Sequence, residues 1–76
     1  MSIIWNRNPY GMLEALLSGC DRKVGEIWVT AKRVRSHLLG DIVYDGDDEQ
    51  VAMDAVQEAL DALPLGVIRA LKDENK

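Results

Sequence analysis

The chain has 76 residues with 13 acidic against nine basic side chains and a formal net charge of −4, so it can build one small core at most, and its whole-molecule field opposes nucleic acid and anionic membrane. A single cysteine, Cys20, rules out an internal disulfide framework and a cysteine-rich zinc site and fits a reducing cytoplasm. Met1-Ser2-Ile3-Ile4-Trp5 is interrupted by Asn6-Arg7-Asn8 far short of a signal-peptide core, and nowhere do about 18 apolar residues run together, so a soluble, cytoplasmic protein without membrane contact is expected.

Asn8-Pro9 reads as an N-cap followed by the imino acid that suits the first helical position, and Tyr10, Leu13, Leu16 and Leu17 then recur at helical spacing up to Gly19. Asp21 caps the next expected element, in which Val24, Ile27, Trp28, Ala31, Val34 and Leu38 repeat at three and four residues before Gly40. In this reading Trp28 anchors the core, and Arg35 projects beside Val24, Trp28 and Leu38. Residues 24–39 admit a second reading, a strand at Ile27-Trp28-Val29 followed by a helix from Ala31 to Leu39, because the triplet is β-prone and Thr30 is a good N-cap. Ile42-Val43-Tyr44 suggests a short strand paired with the N-terminus, 2–5 with 41–44, closed by a turn at Asp45-Gly46.

The strongest periodicity runs from Asp47 to Leu63, where Ala52, Ala55, Val56, Ala59, Leu60 and Leu63 share one side and Pro64 ends the run. A last short helix follows through Leu65, Ile68 and Leu71, and Lys72 to Lys76 forms a charged tail. The expected fold class is all-α, a single domain over 1–76 made of three to four short helices with a minor two-stranded pairing.

Charge is sorted along the chain. Between Asp41 and Asp61 every ionised residue is acidic, whereas Arg22, Lys23, Lys32, Arg33 and Arg35 are interrupted only by Glu26. On a helix Asp47, Asp54, Glu58 and Asp61 fall in one arc opposite the alanines. Asp47, Asp48 and Glu49 are accounted for by the helix dipole, but like charges at i,i+4 cost a helix about 0.2–0.5 kcal/mol, and no lysine or arginine of the same segment relieves them. These four carboxylates are the candidate partner-binding residues, facing a basic protein surface and imitating the charge spacing of nucleic acid.

The function this supports is a small non-enzymatic regulator or inhibitor of bacterial or phage type. An alternative is a helix-turn-helix-like DNA-binding regulator using Lys32, Arg33 and Arg35, which ranks lower because Asp45-Gly46-Asp47-Asp48-Glu49 stands where a recognition helix should start. A third reading is a structural or assembly subunit, or a homodimer, joined through Ala52, Ala55, Ala59 and Ala62. Catalytic residues, metal ligands and cofactors are not expected. His37 and Cys20 lack a third triad member; His37 is assigned a structural or surface role and Cys20 that of a small, partly buried residue, and the acidic run fails as a calcium loop, with Val56 at its twelfth position from Asp45 or Ala52 at its sixth from Asp47.

Overall fold

A computed structural model describes residues 2–19 and 21–73, with Lys72 and Asp73 described by backbone alone. The fold is sheet-dominated: strands β1 (Ile3–Arg7), β2 (Leu13–Leu17), β3 (Lys23–Val29), β4 (Val34–Leu38) and β5 (Asp41–Gly46) precede helices α1 (Glu49–Asp61) and α2 (Leu65–Asp73). The strands form one five-stranded antiparallel meander in the order β1-β2-β3-β4-β5. This overturns the all-α expectation.

The expected strand pair is also replaced. Ile3, Ile4 and Trp5 pair with Leu17, Leu16 and Ala15 of β2, while residues 41–46 pair with β4 at the opposite edge of the sheet. Of the two readings of residues 24–39, the strand at Ile27-Trp28-Val29 is present within β3, and its continuation is a second strand instead of a helix.

The reason lies in a periodicity that serves both structures. Leu13 and Leu17 are spaced for one face of a helix, but with Ala15 between them they are also spaced for one face of a strand. All three are buried, and Glu14 and Leu16 alternate toward the other side. In β4, Val34, Ser36 and Leu38 are buried while Arg35 and His37 point away. A register shift between Ala15 and Leu16 lets the consecutive Val24 and Gly25 of β3 both be buried.

The supposed helix caps are turn residues, since caps and turns use the same chemistry. The Asn8 side-chain oxygen accepts from the Tyr10 and Met12 amides at 2.9 and 3.1 Å, and Gly11 at φ +84° completes the β1–β2 turn. Gly40, read as a helix stop, forms with Leu39 a two-residue loop in which both φ angles are positive, 89° and 51°, the type I′ geometry that matches the twist of a tight hairpin. Asp21 likewise lies in the β2–β3 turn at φ 55°. Cys20 and the tail residues 74–76 fall outside the described residues, as does Met1.

The two C-terminal helices are where the periodicity places them. Asp48 is the N-cap of α1, its carboxylate accepting from the Val51 amide at 3.1 Å, and the Tyr44 hydroxyl accepts from the Asp48 amide at 3.3 Å. Helix α1 lays Ala52, Val56 and Leu60, none with exposed surface, onto one face of the sheet and packs chiefly against β4 and β5. Leu60 and Val56 join Ala15, Leu17, Val24, Leu38 and Leu71 of α2 in one cluster; Ala52 joins Leu13, Ile27 and Val34 in another. Each large side chain so buried contributes about 1.5–3 kcal/mol. Trp5 is half-buried and packs against both clusters, linking β1 to the core. The opposite sheet face has no helix over it among the described residues, and Trp28 lies there 47% exposed, which corrects its expected role as core anchor. Among the described residues no helix is long and apolar enough to cross a membrane.

Candidate functional site

The two layers separate the two sets of candidate residues. Asp54, Glu58 and Asp61 are exposed along the outer side of α1, whereas Asp47 precedes the helix in the β5–α1 connection and is exposed there. The four therefore form three helical carboxylates, about 5–6 Å apart at successive turns, and a fourth before the N-cap. Glutamines one turn earlier brace two of them: Gln50 Nε2 donates to Asp54 at 3.0 Å and Gln57 Nε2 to Asp61 at 3.1 Å.

Several of the chain's cations are committed to other carboxylates. Arg7 Nη2 lies 2.6 Å from Glu49, joining β1 to the first turn of α1. Lys23 lies 3.1 Å from Glu26 and 3.5 Å from Glu14, and Arg33 and Arg35 both hold Asp45. Among the described residues Asp47, Asp54 and Glu58 form no ion pair with lysine or arginine.

Beside these carboxylates lies a feature that spacing alone could not disclose. Where α1 overhangs β5, Val43, Ala55, Ala59 and Ala62 line a shallow groove of about 420 Å³ with Glu58 among its lining residues. Of the alanines expected to share one packing role, Ala52 is core, Ala55 and Ala59 are half-buried and Ala62 is exposed. The helix places a carboxylate and small apolar groups together because Glu58 and Ala55, and Glu58 and Ala62, are three and four residues apart. The outer edge of β5 adjoins the same groove, since β5 has β4 as its neighbour and closes the sheet on that side.

Lys32, Arg33 and Arg35 do not lie on a helix. Thr30 to Arg33 form the β3–β4 turn, fixed by the Arg33 amide donating to Thr30 Oγ1 at 3.1 Å and the Thr30 amide to the Arg33 carbonyl at 2.9 Å. Lys32 is exposed in that turn, and Arg35 in β4 is the cross-strand partner of Trp28. The helix-turn-helix reading therefore fails: residues 30–40, which would form its first helix, are the β3–β4 turn, strand β4 and the tight loop at Leu39-Gly40, and strand β5 follows them instead of a recognition helix. The expected proximity of Arg35 to Trp28 is present, but across strands, with Val24 and Leu38 on the other face.

Three ionisations carry resolved perturbations, all on or beside the helix-free sheet face. The hydrogen bond from Arg33 holds the Asp45 carboxyl below its ordinary range; desolvation opposes it, and the charges of Arg33 and Arg35 add to the lowering. Burial pushes Glu26 up, but hydrogen bonds from Lys23 and the Trp28 indole outweigh it and leave that carboxyl lowered. The hydrogen bond to Glu26 raises Lys23. His37 is half-buried, its ring 5.7 Å from that of Trp28 at an angle of 52°.

Among the described residues no three His, Cys, Asp or Glu side chains are placed to hold a metal ion. Trp28 is the residue of functional interest that the sequence reading misplaced. The available signal was alternation: buried Ile27 and half-buried Val29 flank it, as the inward positions of a strand do. No protein-family model matches the chain, and no curated protein or solved structure matches it.

Proposed function

We propose that this chain is a non-enzymatic regulatory or inhibitory protein that docks a basic segment of a partner protein on the outer side of α1. The groove between α1 and β5 carries this reading. Its small apolar groups suit a partner's aliphatic side chain, and the exposed carboxylate of Glu58 in its lining, with those of Asp54 and Asp61 one turn to either side, suits a partner's lysine or arginine. The commitment of Arg7, Lys23, Arg33 and Arg35 to other carboxylates supports it further, because Asp54 and Glu58 then keep their charge for an external cation.

A basic partner is favoured over a second copy. Two copies meeting through this side would bring two sets of like charges together, whereas a cationic segment is steered toward them. Imitation of nucleic-acid charge belongs to the same reading, since carboxylates at successive helical turns can occupy a basic groove built for phosphates.

The test compares wild type with Asp54→Lys/Glu58→Lys, both verified by circular-dichroism melting, in affinity capture from host lysate at low and high salt. Proteins held by wild type at low salt and lost by the variant, carrying a basic surface, are the expected outcome. Identical capture by both chains refutes the reading.

A further inference from the structure

The helix-free face of the sheet has its own chemistry. Trp28 stands there between two clefts. The smaller, of about 190 Å³, is lined by Trp28, Thr30, Arg33 and Arg35, so every charge in its lining is positive. The larger, of about 380 Å³, has the indole as one wall and Lys23, Glu26, His37 and Leu39 among the others.

Asp45 does not neutralise the cationic cleft; it organises it. Its Oδ1 accepts from Arg33 Nε at 3.1 Å and from Arg33 Nη2, and its Oδ2 accepts from Arg35 Nη2 at 3.3 Å. One carboxylate thus fixes two guanidinium groups that outnumber it in charge. Each guanidinium has five N–H donors in a planar fork, and these contacts leave Arg35 Nε and both Nη1 groups for another anion. Lys32 adds a third cation in the same turn. The other carboxylates of this face, Glu26 and its cross-strand partner Glu14, lie on the far side of the indole, both within ion-pair distance of Lys23.

We infer that this face binds single-stranded nucleic acid, with one base stacked on the Trp28 indole and the adjoining phosphate held by Arg33 and Arg35. A half-exposed indole gives the flat apolar surface on which any unpaired base can stack, and paired arginines give the bidentate fork that phosphate geometry fits. A duplex is disfavoured because its bases are already stacked on one another and unavailable to the ring. The net charge of −4 is not felt evenly, since Asp54, Glu58 and Asp61 lie on the helical layer, which covers the other face of the sheet. This inference is independent of the α1 reading, and the failure of either leaves the other standing.

The experiment titrates the full chain with a fluorescein-labelled twelve-nucleotide oligothymidylate at low salt. Label anisotropy is followed together with tryptophan emission, to which Trp5 contributes a background from its half-buried place against the core. Saturable binding with quenched emission is expected, and its logarithmic salt dependence should have a slope of about −1.4 to −2.1, as for two or three phosphate contacts on a single strand. Arg33→Gln/Arg35→Gln should weaken binding at least tenfold, and Trp28→Leu should remove most of the quenching, each with an unchanged circular-dichroism spectrum.

The inference is overturned if anisotropy does not saturate at low salt while the protein is folded. It is equally overturned if inorganic polyphosphate or hexaglutamate competes as well as unlabelled oligothymidylate, because neither has a base to stack. Equal affinity for thymidine monophosphate and the oligomer removes the strand from the proposal.

Discussion

Gly25→Ala is the sharpest available probe of how the helix-free face is built. Gly25 is buried in β3, opposite Leu38 of β4, and a Cβ built on it would stand 2.4 Å from the His37 carbonyl oxygen. The φ of Gly25 is not in the left-handed region, so alanine meets no backbone penalty there and the whole effect is steric. Real Cβ contacts essentially stop at 3.0 Å, so β3 and β4 must part by about 0.6 Å at this point. The obstacle is backbone and cannot swing aside. The adjacent bond from the Leu39 amide to the Val24 carbonyl, 2.8 Å long, would stretch to about 3.4 Å, where little of its strength remains. Loss of one or two such bonds, each contributing about 0.5–1.5 kcal/mol net, predicts a destabilisation of about 1–3 kcal/mol. For a domain of this size, a central 2 kcal/mol lowers the melting temperature by roughly 8–16 °C. Gly66→Ala is the matched control: the same added methyl meets nothing within 4 Å in the first turn of α2 and should stabilise by about 0.3–1 kcal/mol through helix propensity. Calorimetric or circular-dichroism melts of the two variants should move in opposite directions. A Gly25→Ala melt within about 2 °C of wild type would refute the close approach of the two strands.

Other consequences follow from the core and from the Asp45 cluster. Leu60→Ala empties a fully buried position shared by sheet and helices and should cost about 3–5 kcal/mol, a large part of the roughly 4–11 kcal/mol available to a chain of this length; urea unfolding should register it as a lower midpoint with little change in slope. Ser36 has no exposed surface, and its hydroxyl has no hydrogen-bond partner among the described residues, so Ser36→Ala should raise stability by about 1 kcal/mol, and a fall in the same unfolding assay would expose a partner for that oxygen. Because Arg33 and Arg35 favour the charged form of Asp45, the folded protein holds its proton less tightly than the unfolded chain. The resulting stabilisation is complete above the ordinary carboxyl value of 3.8 and disappears as pH falls through the lower folded value. A carbonyl-detected NMR titration should place the Asp45 midpoint below 3.8, and Arg33→Gln should move it upward; an unmoved midpoint would show that Arg33 does not set it.

Local pattern determined the C-terminal third of the molecule and marked three of the four hairpin turns, the fourth, at Thr30 to Arg33, lying inside the expected central helix. Ala52, Val56 and Leu60 repeat over enough turns that only a helix can bury them together, Asp48 and Pro64 bound that helix, and α1 and α2 form accordingly. Asn8-Pro9, Gly19 and Gly40 likewise marked where the chain turns, and each lies in or beside a hairpin turn. The acidic side of α1 was legible for the same reason, since exposure on a helix follows from the helix period. What lay between the turns was decided only by tertiary pairing. Segments as short as Leu13–Leu17 and Val34–Leu38 fit both the helical and the strand period, and the partners that satisfy their backbone groups come from neighbouring strands instead of from the next turn of the same segment. Trp28 faces away from the core because Ile27 and Val29 face toward it, and its meeting with Arg35 and His37 exists only once β3 and β4 are in register. The groove beside Glu58 needs α1 laid across β5, and the tie between Arg7 and Glu49 spans 42 residues of sequence. A helix satisfies its own hydrogen bonds and so can be read locally, whereas a sheet borrows its bonds from distant residues, and its faces take their identity from that pairing.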